Sequence, residues 1–223
     1  MNTRILVVGV PRSGTSLTYR IFSKHPQVHK MLFEKWALNR TSTKSEAIKR
    51  HPFLGRRGAC GEKVINIKRV VGKIGLSNRT IVDYCKKWNS YFGDDSRIIH
   101  LVRHPYDCLN SLVKSKKRFP RGPVFESAYQ EYLNYIPHFA QEIARLPHCL
   151  TIKYESLLTD PDSIRKLYSY CELDPSYKFK EGIKVGRAFN YKYKVDQLLF
   201  EYNPKLEKVI EVFNKFGGPK YDL

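Results

Sequence analysis

Ile5-Leu-Val-Val-Gly-Val-Pro-Arg-Ser-Gly-Thr-Ser-Leu-Thr-Tyr19 decides how the rest of the chain is read. Ile5 to Val8 is a short apolar run with no polar alternation, the pattern of a strand buried on both faces of a parallel sheet. The run breaks at Gly9, and helical spacing begins around Ser16. Strand, Gly-rich turn and helix N-terminus together present backbone N–H groups to an anion. Gly9 and Gly14 stand five apart, as the two glycines of G-x-x-x-x-G-K-[ST] do, and a hydroxyl pair follows. Thr15, however, occupies the place of the lysine that serves the β- and γ-phosphates of a nucleoside triphosphate. With Arg12 inside the loop instead, the stretch predicts an anion cradle whose ligand is neither ATP nor GTP. The bland alternative is a strand–helix turn that binds nothing; the clustering of Arg12, Ser13, Thr15 and Ser16 argues against it.

The chain has 223 residues, the size of one domain with a substantial core, and residues 1–223 are expected to form a single unit. Hydrophobic content of 42% and aromatic content of 13% exclude a disordered chain. Lys+Arg 40 against Asp+Glu 21 leaves a formal charge of +19. Such an excess suits an anionic cofactor, an anionic acceptor, nucleic acid or an acidic membrane surface, and does not choose among them. Cys60, Cys85, Cys108, Cys149 and Cys171 are widely spaced and form no C-x-x-C, which argues against a zinc site or disulfide framework and fits a reducing compartment. Ile5 to Val10 is too short for the core of a signal peptide, and no apolar run approaches a membrane span. A cytoplasmic protein is expected.

After the loop, Leu17, Ile21 and Phe22 outline one face of a helix that stops before Pro26. Val28 to Phe33 is a second strand, delivering Glu34 at its carboxyl end, where ligand crevices lie in open α/β sheets. From Ala37 to Gly58 the chain is polar and basic, reading as helix fragments and loop. A third strand is expected over Gly61–Ile67, opening with the charged pair Glu62-Lys63, and a helix over Ile81–Trp88. The second strong element is Arg97-Ile-Ile-His-Leu-Val-Arg-His-Pro-Tyr-Asp-Cys-Leu-Asn-Ser111. Ile98 to Val102 is a buried strand, Arg103 sits at its end, Pro105 suits the first turn of a helix, and Ser111 lies about two turns in. Lys114 to Arg121 is a basic run, either a lid over an anionic ligand or a solvated charge cluster, the second being the commoner case. Apolar and aromatic residues recur at helical spacing from Tyr129 to Ile143, core in character, with a kink expected at Pro137. Cys149 to Tyr154 is another strand. Asp160-Pro161 caps a helix carrying Ile164, Leu167, Tyr168 and Cys171, and Val209, Ile210 and Phe213 mark a closing amphipathic helix. Strands alternating with helices predict an α/β fold, a central parallel sheet flanked by helices with a P-loop-like strand–loop–helix at the N-terminus.

Two separate anion-ready elements, Arg12 to Ser16 and Arg103 with Ser111, suggest a ligand with phosphate-like groups at both ends. A nucleotide phosphorylated on its 3′ carbon and bearing an anhydride on its 5′ carbon would use both. Here the chain resembles the sulfotransferase superfamily, whose members use 3′-phosphoadenosine 5′-phosphosulfate (PAPS). Pro11-Arg12-Ser13-Gly14-Thr15-Ser16-Leu17 is similar to the family's 5′-phosphosulfate loop, with arginine where many members carry lysine. Ile99-His-Leu-Val-Arg103-His-Pro-Tyr-Asp107 through Ser111 resembles its 3′-phosphate motif. Ile152-Lys-Tyr154-Glu155-Ser-Leu-Leu is similar to a segment whose tyrosine lies near the adenine, and Gly61-Glu62-Lys63 resembles a Gly-Glu-Lys segment of the carbohydrate and membrane-type branches.

The chain also departs from the family pattern. Ile65 stands where small-molecule members place a catalytic histidine, and Leu17 where they stack a tryptophan on the adenine. Their C-terminal Arg-Lys-Gly phosphate clamp has only Lys184 and Arg187 as loose counterparts. The resemblance therefore implies one of the branches that use a carboxylate base, with Glu34 as the base and Glu62 as the runner-up. His29 and His104 are further candidates, more often structural at such places. Arg12 and Lys63, with the loop amides, would stabilise charge on the leaving group of an in-line displacement at sulfur. The implied acceptor is a hydroxyl or amine on a polar molecule, carbohydrates and anionic compounds included. No metal, nucleic-acid partner or membrane span is expected. A P-loop nucleotide or small-molecule kinase should carry lysine at Thr15 and a strand-end aspartate for magnesium, neither of which is found. A basic polyanion- or nucleic-acid-binding module would explain the charge but not the ordered pair of phosphate elements.

Overall fold

The computed structural model describes residues 2–33, 37–38, 41–63, 78–104, 107–108, 111, 135–160, 162–179 and 204–216. Their order is β1 (Arg4–Gly9), α1 (Thr15–Ser23), β2 (Val28–Phe33), α2 (Lys44–Arg50), a 3₁₀ turn (Pro52–Gly55), β3 (Ala59–Lys63), α3 (Asn78–Phe92), β4 (Ser96–Val102), a π-helical segment (Tyr135–Ala140), α4 (Gln141–Ala144), β5 (Cys149–Lys153), α5 (Tyr154–Thr159), α6 (Asp162–Tyr170) and α7 (Pro204–Lys215). The strands form one sheet in the order β2-β3-β1-β4-β5, every neighbouring pair parallel.

The unalternating Ile5–Val8 run is explained by helices on both faces of the sheet. Ile5 and Val7 pack with Ile21 and Phe22 of α1 and with Leu167 and Tyr168 of α6. Leu6 and Val8 pack with Ile81, Val82, Cys85 and Trp88 of α3 and with Val209, Ile210 and Phe213 of α7. β4 divides the same way, Ile99 and Leu101 to the first face and Ile98 and Val102 to the second. Each such aliphatic side chain contributes about 1.5–3 kcal/mol when fully buried.

The strand order also locates the crevice. From β1 the chain leaves towards β2 and β3; from β4 it leaves the other way, towards β5. The carboxyl ends of β1 and β4 are therefore the switch point at which α/β sheets bind ligands.

Two elements differ from the sequence expectation. β3 covers Ala59–Lys63 among the described residues, so it begins before the Glu62-Lys63 pair expected to open it. Ala59, Cys60 and Gly61 carry too little side chain to register as a buried run, yet all are buried. Gly61 is held so close to β1 that a Cβ there would lie 2.0 Å from the Ile5 carbonyl oxygen. Tyr154 belongs to helix α5 and not to β5, whose last residue is Lys153. The π-helical turns coincide with Pro137, whose missing N–H interrupts regular α-helical bonding. The expected strand residues 64–67, the basic run 114–121 and the aromatic positions 129–134 lie outside the described residues.

Candidate active site

The Gly9–Gly14 loop is built by close approach. A Cβ on Gly9 would lie 2.5 Å from Ser13 Oγ and 2.7 Å from the Leu101 carbonyl oxygen, so the turn needs glycine to lie against β4. The Ser13 amide and hydroxyl both donate to the Val10 carbonyl, at 3.2 and 2.7 Å, folding the loop onto itself. Arg12 takes a left-handed φ of 70° and Gly14 one of 102°. Gly14 is the N-cap of α1, and no side chain caps the helix, so its leading amides keep their capacity for an anion. Ser13 and Thr15 are buried, Pro11, Gly14 and Leu17 half-buried, and Arg12 and Ser16 exposed at the crevice.

Across the crevice, Arg103 follows β4 and is 8% exposed. Its guanidinium lies 4.4 Å from the centroid of the Tyr154 ring. It donates to the Arg12 carbonyl at 3.0 Å, and Asp107 Oδ2 stands 3.7 Å away. The Tyr154 ring in turn presses on the loop: a Cβ on Gly14 would fall 2.1 Å from Tyr154 Cδ2. Arg103, Tyr154 and Gly14 thus form a stack that fixes the distance between the two anion-ready elements. Leu17 packs on Tyr154 and Leu158 from the helix side. Arg12 Nε donates to Ser111 Oγ at 2.7 Å, and Lys63 Nζ to Ser16 Oγ at 3.2 Å. Lys63 is almost fully buried, so its ammonium is held at the end of β3 and not in solvent.

Arg12, Ser16, Lys63, Arg103, Ser111 and Tyr154, predicted from separate stretches, are therefore joined at the β1/β4 switch point. Pro11, Ser13, Gly14, Thr15 and Leu17 shape the loop that carries them. Glu34, Lys184 and Arg187 lie outside the described residues.

Glu62 is fully buried, and its Oε2 accepts from the Tyr84 hydroxyl at 2.6 Å and the Ala37 amide at 2.8 Å. Burial first, and the Glu62 carboxylate second, push the Tyr84 hydroxyl well above its ordinary 10. This arrangement ties β3 to α3 and to the segment after β2. His29, expected near a strand end, is the second residue of β2 and exposed, at the end of the sheet opposite the crevice. His104 is buried against Phe213, with ring centroids 5.6 Å apart. Burial, then Lys153 and Arg103, hold its imidazole down at about 3.

Sequence reasoning missed the buried charged groups behind Arg103: Asp107, Lys153 and Glu155. The available signal was Lys153-Tyr154-Glu155 at the end of an apolar strand, two charges flanking the one residue that was singled out.

A sequence profile of the sulfotransferase domain matches residues 2–187. The chain belongs to this family. A sulfotransferase domain from the curacin biosynthetic pathway shares 13% identity and a TM-score of 0.65, the alignment covering 98% of this chain and 99% of that one. The sulfotransferase domain of the Synechococcus PCC 7002 olefin synthase shares 16% identity and a TM-score of 0.63, with 98% and 96% covered. A mouse sulfotransferase complexed with PAP shares 15% identity and a TM-score of 0.50, with 96% and 84% covered. These likenesses are of fold. Among the described residues of this sulfotransferase, no group of three or more His, Cys, Asp or Glu side chains could hold a metal ion, and no helix is long and apolar enough to cross a membrane.

Proposed function

We propose that residues 1–223 act as one domain that transfers a sulfuryl group from PAPS to a hydroxyl or amine of a polar acceptor, a carbohydrate or an anionic compound among the candidates. The observation that carries this reading is the Arg103–Tyr154–Gly14 stack, which joins a buried guanidinium to an uncapped helix N-terminus at one switch point. Those residues fit a ligand with phosphate groups at two ends. Arg12, the α1 amides, Ser16 and Lys63 would hold the 5′ end; Arg103 and Ser111 would hold the 3′-phosphate, and Tyr154 the adenine side. Lys184 and Arg187 complete the proposed phosphate contacts. When bound, PAPS supplies a sulfuryl group carried on a phosphate leaving group.

Glu34 accepts the proton of the attacking hydroxyl or amine. The Arg12 guanidinium and the Lys63 ammonium stand ready for charge that develops on the departing phosphate, where preorganised donors have their largest effect. Exposed Lys44, Lys49, Arg50, Arg56 and Arg57, on and after α2, favour an anionic or strongly polar acceptor. Cys60, Cys85, Cys108, Cys149 and Cys171 form no disulfide among the described residues, in keeping with a reducing, cytoplasmic setting.

Titration of Arg103→Ala with adenosine 3′,5′-bisphosphate and with adenosine 5′-monophosphate tests the assignment. A charge-assisted hydrogen bond contributes about 1.5–3 kcal/mol, so the bisphosphate should weaken roughly ten- to hundredfold. The monophosphate, lacking the 3′ group, should change little. Equal losses for both ligands would remove the 3′-phosphate from Arg103.

A further inference from the structure

Behind Arg103 lies a set of charged groups that the transfer chemistry does not use. Glu155, the second residue of α5, is fully buried. Its Oε1 accepts from the His104 amide at 3.0 Å, the residue next to Arg103. Its Oε2 is buried and has no hydrogen-bond partner among the described residues. An ionised carboxylate oxygen in that state is costly. The groups that act on it are the His104 amide, the Arg103 guanidinium and the Asp107 carboxyl, from the end of β4 and just beyond, and its own backbone amide at the start of α5. Asp107 is itself buried and stands 3.7 Å from the Arg103 guanidinium. Lys153 is buried with its ammonium 4.4 Å from the Phe213 ring centroid. Two carboxyls therefore share the neighbourhood of one guanidinium, and only one of them is within ion-pairing distance of it.

We propose that Glu155 is a positioning residue for Arg103, and that its carboxyl takes up a proton when a phosphate docks on the Arg103 guanidinium. The positioning is direct: by holding the His104 amide, the carboxyl fixes the backbone at the exit of β4 and so the direction in which Arg103 leaves the sheet. The proton uptake follows from charge. A phosphate brings up to two negative charges to an arginine already flanked by Asp107, and like charges in a buried site favour protonation of the carboxyl that stands outside ion-pairing distance of that arginine. Burial already raises the Glu155 carboxyl to about 7, with Asp107 adding to the rise and the His104 amide and Arg103 opposing it. The group is thus poised where a further upward push changes its protonation near neutral pH. The proton goes to the buried Oε2; no other bond is made or broken.

This inference rests on the proposed phosphate site at Arg103. Calorimetric titration with adenosine 3′,5′-bisphosphate near pH 7.5, in buffers of different ionisation enthalpy, reads the number of protons bound. The wild-type protein should take up a substantial fraction of a proton more than Glu155→Gln, and its affinity should fall with rising pH, by about tenfold for each unit by which binding raises the carboxyl. In Glu155→Gln the amide oxygen can still accept from His104, and the excess pH dependence should vanish. Adenosine 5′-monophosphate, which leaves Arg103 without a phosphate, should show no difference between the two proteins. Difference infrared spectra of the wild type alone give a second readout: the bisphosphate should convert a carboxylate band into a protonated carboxyl band. Bisphosphate binding with equal proton counts in both proteins, or without that spectral change, overturns the role of Glu155 and leaves the phosphate site standing. Failure of the wild type to bind the bisphosphate at all overturns the phosphate site, and this inference with it.

Discussion

Glu62 lies within β3, and its surroundings already occupy its carboxylate. A carboxylate that accepts from a buried tyrosine hydroxyl and a backbone amide is a poor proton acceptor for a substrate, because taking a proton disturbs both bonds. Glu62→Gln should therefore act mainly on stability, lowering it by about 1–3 kcal/mol as a buried acceptor is exchanged. Glu34→Gln should leave the melting temperature in place and slow single-turnover transfer by roughly 10²–10⁴. Thermal melts and single-turnover rates on the two variants decide it; a transfer defect confined to Glu62→Gln would move the base to Glu62. At this scale Arg12 and Arg103 were legible, the first as a charge inside a Gly-rich loop and the second as a charge directly after an apolar strand. For Glu155 the only local mark was the pair of charges around Tyr154; the contact that gives it weight is with the His104 amide 51 positions away, which no local window contains.

At the scale of elements, β3 shows what hydrophobic patterning misses. Its residues are small, and its position between β1 and β2 is set by close approach and not by apolar bulk. Gly61→Ala would drive a methyl group into the Ile5 carbonyl, 2.0 Å away, in the centre of a parallel pair. The strands must separate or the register must shift, and overpacking of this kind costs about 1–3 kcal/mol or more. Chemical denaturation should show that loss. Because Lys63 follows two residues later in the same strand, the variant should also weaken adenosine 3′,5′-bisphosphate binding. Native stability in Gly61→Ala would mean that β1 and β3 are not held this tightly. The helix–loop character expected over Ala37–Gly58 was legible from its polarity, and among the described residues α2 does begin with Thr43 accepting from the Glu46 amide. The start of α5 at Tyr154 was not, because Ile152 and Tyr154 continue the apolar alternation of β5 through the boundary.

For the whole molecule, alternation of strands and helices gave the parallel α/β class, whereas the order β2-β3-β1-β4-β5 depends on long-range pairing that no local window contains. The same burial that builds both cores places titratable groups where charge is disfavoured, and their signs can be worked out. Burial holds His100 and His104 down at about 3 from an ordinary 6.5. The unfolded chain binds those protons first, so the stability they contribute is present above pH 6.5 and is lost as pH falls towards 3. Glu155 runs the other way: raised from 4.5 to about 7, it contributes stability that is full below pH 4.5 and lost as pH rises through 7. Between pH 4.5 and 6.5 the two histidines and the one glutamate leave a net difference of one proton, a slope of about 1.4 kcal/mol per pH unit. Glu155→Gln removes the opposing group, so its stability should fall more steeply on acidification, by about another 1.4 kcal/mol per pH unit in that window. Above pH 7, where Glu155 is ionised in folded and unfolded chains alike, the two proteins should run parallel. Urea unfolding at intervals from pH 4.5 to 8 measures the difference directly, and the other carboxylates cancel because both proteins carry them. Parallel curves through the acidic window would mean that Glu155 keeps its ordinary acidity despite its burial.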